Sequence, residues 1–232
     1  MDVVVGQNEL RGTSRERALA GFAHVLTEVP WAVNASDIGR LRQENISDAA
    51  IEQALLVTAV FNYFPRVADG TGGEFDYESP LPRINVDKTR EPLPRIPVDE
   101  WNRSVNGSTL PKFVHAPFVE AKLAPWRGLH LERELPFGRA TRALIARAAA
   151  EELCDFAAHG HWKDIAPRET ADNCLVDFAR KLTKAPWAMS AGDVEALRRE
   201  GLSDEVILGA ITLVAYQNAI SRMHHGLAAM HR

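Results

Sequence analysis

The segment FAHVLTEVPWAVNASDIGRLRQENISDAAIEQALLVTAVFNYFPRVADG, which begins at Phe22, aligns without a gap on FARKLTKAPWAMSAGDVEALRREGLSDEVILGAITLVAYQNAISRMHHG, which begins at Phe178. Roughly 20 of about 49 positions are identical, a level that shared helical composition does not produce over an ungapped window. The chain carries an internal duplication, and any fold proposed for one copy must also suit the other.

Each copy reads as three helices. The first ends at Leu-Thr-x-x-Pro-Trp, because the residue before Pro30 or Pro186 is pushed out of the helical region. The second begins at Asn34 or Ser190, with Asp37 or Asp193 three positions on, the spacing of a reciprocal cap. It ends near Asn45 or Gly201, residues that tolerate a left-handed backbone. Ser47-Asp48 or Ser203-Asp204 then opens a third helix, expected to run to Phe64 in copy one and to about His225 in copy two. Ile207, Ile211 and Val214 keep helical spacing in it, and Pro65 is expected to end or kink it in copy one.

Three regions follow. Residues 8–70 form a partial repeat of three helices, residues 71–112 a Pro-rich connector, and residues 113–232 a fuller repeat. The connector holds the near-repeat PLPRINVDKTREPLPRIPVDEW without helical period, and is expected to lie extended on the surface, partly in polyproline conformation. Beyond it, FVHAPFVEAKLAPWRGLHL is expected to break at Pro117 and Pro125. RATRALIARAAAEELCDFAAHGHW, almost all good helix formers, is read as one helix up to a turn around Ile165 to Pro167. Copy one has no counterpart to these front helices before its own first helix, read from Arg11 to Glu28. No segment alternates as a strand does, so the fold class is all-α.

With 46% hydrophobic residues over 232 positions the chain can bury a substantial core. A net charge of −4 argues against a surface built for phosphate backbones or anionic lipid. GDVEALRREGLSDEVILGAI has a helix-turn-helix rhythm, but Ser203 to Tyr216 carries Asp204 and Glu205 and no Lys or Arg, so it reads as two core helices and nucleic acid is not expected as a partner. Two cysteines make no disulfide framework, no secretion signal is legible, and no apolar run suggests a membrane span. The expected location is cytoplasmic.

The stretch ELCDFAAHGHWK gathers most of the reactive side chains. On a continuous helix over 140–162, Cys154 and His161 lie two turns apart on one face with Ala157 between them, while His159 points elsewhere. There an imidazole can lower a thiol pKa or pass a proton. Equally, a free cysteine is among the most buried residue types and can be simply core. His224, His225 and His231 cluster at the C-terminus. They read as a solvated tail rather than as metal ligands, and no metal or other cofactor is expected. Asn62 and Arg66, with their counterparts Asn218 and Arg222, sit one turn apart in both copies and are expected to cap a neighbouring loop or meet a carboxylate at a subunit contact. Trp31 and Trp187 read as core anchors.

TRALIARAAAEELCDFAAHGHW, LTKAPWAMSAGDVEALRREGLSDEVILGAI and FNYFPRVADGTGGEFD together resemble the AhpD-like and carboxymuconolactone decarboxylase superfamily, in particular its peroxidase-related, alkylhydroperoxidase-domain branch. The resemblance covers about two thirds of the chain and implies an AhpD-like helical fold. It places the first motif cysteine on Cys154 and the histidine on His161, puts Ala157 where the second cysteine stands, and finds Arg142 or Ala143 in place of the upstream Glu. It implies an antioxidant oxidoreductase that reduces peroxides with Cys154 and His161. Asp155 and His159 are supporting residues in that reading, an external thiol is the reductant, and Cys174 is a resolving partner if the helix starting near Thr170 folds back on Cys154. An alternative is a cofactor-free carboxymuconolactone decarboxylase-like lyase in which His161 and arginines such as Arg142 hold an anionic substrate. A third is a non-catalytic oligomeric scaffold. Broad apolar helix faces and a half-unit at one end lead to the expectation of a homo-oligomer.

Overall fold

The structure is a computed structural model that describes residues 12–72, 89–101, 112–166 and 173–231. Those residues are all-α, with no strand among them. In copy one, α1 (Ser14–Glu28) leads through a tight turn at Pro30–Ala32 to α2 (Ala35–Gln43) and α3 (Asp48–Gly70). Between the copies stand α4 (Phe118–Arg127), α5 (Arg139–Glu152) and α6 (Phe156–Lys163). Copy two repeats the order of copy one as α7 (Cys174–Lys184), a turn at Pro186–Ala188, α8 (Ala191–Arg199) and α9 (Asp204–Met230).

Local chemistry sets most of these boundaries. Thr13 and Glu16 cap each other at the start of α1, which is why that helix begins at Ser14 and not at Arg11. The Asn34 amide donates to Asp37 at 3.0 Å, and the Ser190 amide donates to Asp193 at 2.9 Å. Asn45 (φ 56°) and Gly201 (φ 83°) take the left-handed conformation that ends α2 and α8. Ser47 and Ser203 cap the long helices.

Pro65 does not end α3, which continues to Gly70. The carbonyl deprived of its donor belongs to Phe61, a residue 69% exposed, so water can serve it while packing holds the rest of the helix. Pro125 likewise lies inside α4, whereas Pro117 stands at its start as expected. A wide helical turn, Gly128–Glu132, follows α4. α9 runs five residues beyond His225, because its C-terminal half is buried. By length and composition alone α9 is apolar enough to cross a bilayer, yet most of it is packed inside the protein, as a core helix is.

The two long helices form the axis of the molecule. Gly70, late in α3, meets Ile211 early in α9, and Gly226, late in α9, meets Leu55 early in α3, so the helices run antiparallel. A methyl group on Gly70 would sit 2.7 Å from Ile211 Cγ2, so the backbones are as close as bare glycine permits. α1 packs on both α3 and α9, as does α7, while α5 lies against α7 and α9. Residues 89–101 of the connector are mostly exposed and carry no regular secondary structure apart from a short turn at Val98–Glu100. Residues 73–88 and 102–111 lie outside the described residues.

Candidate functional site

The helix expected over 140–162 is interrupted at Cys154. α5 ends at Glu152, with Leu153 as its cap, Cys154 adopts φ 52°, and Asp155 starts α6 by accepting from the Ala158 amide at 3.1 Å. The Asp155 amide bonds back to Ala150 and the Cys154 amide to Glu151, the paired closure that also ends α2 and α8. A cysteine in this position is unusual, since its Cβ costs about 1 kcal/mol in the left-handed region. The break removes the shared helix face on which the pairing of Cys154 with His161 rested.

Their surroundings are accordingly different. Cys154 is fully buried and lies beside Arg95, Ile96, Glu152 and Asp155. Burial pushes its thiol up to about 11, against a backbone hydrogen bond at Ile96 and the charge of Arg95 that pull it down. His161 instead lines a cleft of about 350 Å³ with Arg127, Arg133, Arg139, Glu132, Glu134 and Trp162; Arg127 pairs with Glu132 at 3.5 Å, and the His161 ring packs edge-on against Trp162 with 4.6 Å between centroids. Burial and then the charges of Arg127 and Arg139 lower its pKa, so the imidazole is neutral at pH 7.

Asp155 has a partner of its own. Its Oδ2 lies 2.9 Å from His224 Nδ1, and both side chains are buried. Burial raises the Asp155 pKa, but the His224 charge and hydrogen bond, helped by His225 and Ser221, outweigh it and hold the carboxyl at about 2. His225 Nε2 contacts the Leu153 carbonyl at 2.8 Å. These two histidines are interior residues, which corrects their reading as a solvated tail; His231 alone is exposed. Gln217, placed by α9 next to this pair, links Trp162 to Ser221.

The other candidates are distributed as follows. Cys174 opens α7, whereas the far end of α7 sits by Glu151 and Glu152, which Arg180 pairs with. Cys174 thus lies roughly 9 Å of helix away from the residue that pairs with Glu151 and Glu152. Both cysteines are free. His159 pairs with Glu151 at 3.5 Å and meets the Trp101 ring edge-on. Arg142 holds no ligand position: its guanidinium donates to the carbonyls of His130, Arg133, Leu135 and Phe137, tying down the loop before α5.

Asn62, Arg66, Asn218 and Arg222 form two matching sets. Asn62 Nδ2 donates to Thr27 Oγ1 at 3.0 Å, and Asn218 Nδ2 donates to Thr183 Oγ1 at 3.1 Å. Arg66 Nη1 donates to the Asn62 carbonyl and Oδ1, and Arg222 Nη1 does the same at Asn218. Each arginine then crosses to the other copy. Arg66 Nη2 reaches the Thr183 carbonyl at 3.3 Å, and Arg222 Nη2 the Thr27 carbonyl at 2.8 Å. These carbonyls belong to the last turns of α7 and α1, where backbone acceptors are left over and a cation is favoured.

Sequence reasoning missed Thr27 and Thr183, although both are identical across the duplication and stand at fixed distance from the Asn and Arg. It also missed Arg127, Arg133 and Arg139 around His161, for which no local signal exists. Trp31 and Trp187 are half-buried wall residues, not core anchors. The chain matches no protein-family model, no curated protein and no solved structure.

Proposed function

We propose that this chain is an AhpD-like protein working without thiol redox, as a cofactor-free, carboxymuconolactone decarboxylase-like lyase on a small anionic substrate. The observation that carries the reading is the company His161 keeps: a cleft lined by three arginines against two glutamates, Glu132 and Glu134, and not Cys154. A neutral imidazole can exchange a proton with a substrate whose carboxylate is held by guanidinium groups. The arginines expected to do this included Arg142, which is committed to backbone carbonyls. Arg133 and Arg139 take that role, since Arg127 is paired with Glu132 at 3.5 Å.

The peroxidase reading asks for a thiolate. With burial pushing it up to about 11, the thiol of Cys154 stays protonated at pH 7, and it forms no disulfide with Cys174. The family placement rests on the quoted stretches, on the duplicated three-helix order, and on a helix break that carries Cys154 at the motif position.

The test compares wild type, Cys154→Ser and His161→Ala in two assays. In a panel of small lactone and β-keto carboxylates followed by CO₂ release, wild type and Cys154→Ser are expected to turn over alike and His161→Ala to lose activity. Activity should persist somewhat below pH 6.5, since the imidazole pKa is lowered. Consumption of hydroperoxide with a dithiol reductant, lost in Cys154→Ser, would overturn the proposal.

A further inference from the structure

A cavity of about 580 Å³ lies where the two copies meet, well within the range of small-molecule sites. Its walls come in matched pairs: Thr27, Trp31 and Arg66 from copy one, Thr183, Trp187 and Arg222 from copy two. It shares no wall residue with the His161 cleft.

The charge of this cavity is lopsided. Arg66 is 7% exposed and Arg222 2% exposed. Each spends three of its five N–H groups on its own Asn and on a Thr carbonyl of the other copy. The Nε of both is buried without an acceptor among the described residues. Among the described residues neither guanidinium has a carboxylate in salt-bridge contact. Glu28 lies near enough for its charge to act on both, and Asp69 on Arg66, but Glu28 is paired with Arg90, and Glu152 with Arg95 and Arg180. Lys184, exposed at the rim, adds another positive charge.

Two desolvated cations facing one space repel each other, and an anion there would relieve both. The rest of the wall decides what kind of anion. Trp31, Trp187, Phe61, Val57 and Leu93 present aromatic and aliphatic surface, which a hydrated inorganic ion would leave unused. We propose that the inter-copy cavity binds a small organic anion, a carboxylate carried on an apolar, preferably aromatic body, with its charge toward Arg66 and Arg222 and its body between Trp31 and Trp187. The site is a second one, independent of the lyase reading: either can fail while the other stands.

The experiment titrates the full chain with 2-naphthoate by calorimetry and by quenching of Trp fluorescence, with uncharged 2-naphthamide as its isostere. The expected result is one naphthoate per chain, with the amide at least about tenfold weaker. Lys184→Glu, which reverses an exposed rim charge without touching the interior, should weaken naphthoate about tenfold and leave the amide unchanged. Arg66→Gln should abolish the preference for the acid, provided its thermal midpoint shows that it folds. Lys184→Glu keeps the test valid if it does not. His161→Ala should bind naphthoate as wild type does. Equal binding of acid and amide, no saturable binding of naphthoate, an unchanged affinity in Lys184→Glu, or loss of binding in His161→Ala would each overturn the proposal.

Discussion

On α3, Asn62 and Arg66 grip Thr27 and reach across to Thr183; on α9, Asn218 and Arg222 grip Thr183 and reach across to Thr27. A short way along the same helices the likeness ends. Pro65, Ala68 and Asp69 in copy one correspond to Ser221, His224 and His225 in copy two, and the latter three surround the break between α5 and α6. Near the other end, Glu52 is fully buried and accepts from the amides of Val114 and His115 at 2.9 Å, while its counterpart Leu208 is half exposed. The copies therefore agree where they face each other and differ where they face residues 112–166, which have no duplicate among the described residues. Helices that lack a partner in the repeat meet a different surface on each copy, and the polar groups buried there had to be specific to one copy.

The comparison can be broken at its axis first. Gly226→Leu and Gly70→Leu both force side-chain atoms into the α3–α9 contact, and each should cost about 3 kcal/mol or more, read as a lower urea midpoint. A large loss for one glycine with tolerance of the other would show that the axis is not equivalent in the two copies.

Next comes the specific chemistry of copy two. Asp155→Asn keeps a capping side chain at the start of α6 but removes the charge opposite His224. It should lower stability at pH 7 by about 2 kcal/mol. The folded carboxyl titrates near 2 and the unfolded one near 3.8, so this contribution is fully present above about pH 4 and is lost as the pH falls towards 2. Wild type should show that acid limb in urea midpoints measured against pH, and Asp155→Asn should lack it.

The smallest effect tests the symmetric pair. Thr27→Val and Thr183→Val each remove the acceptor of one Asn amide, and each should cost about 1 kcal/mol. The two losses should agree within about 0.5 kcal/mol. A wider gap in chemical denaturation would mean that the matching geometry conceals unequal load.

Much of the fold was legible because it is locally encoded. The caps at Asn34, Ser47, Ser190 and Ser203 and the left-handed stops at Asn45 and Gly201 all involve groups within a few residues of one another, and the duplication wrote each of them twice. The site was less legible. Helix propensity carried α5 straight through Cys154, since nothing about a cysteine announces a left-handed residue, and the face shared with His161 was a product of that extrapolation. Pro65 is expected to end or kink α3 because its cost is local, while the packing that lets α3 continue to Gly70 is not.

By itself, then, the sequence determined the all-α class and the caps and stops of the helices within the two copies, since hydrogen bonds that close over three or four residues need no other part of the chain. Only the tertiary structure decided which histidines are interior, which arginines surround His161, and that Arg66 and Arg222 converge on one cavity. Those facts depend on burial and on contacts between residues far apart in the chain, 69 positions for His224 and Asp155 and 117 for Arg66 and Thr183, and desolvation is a property of the packed whole.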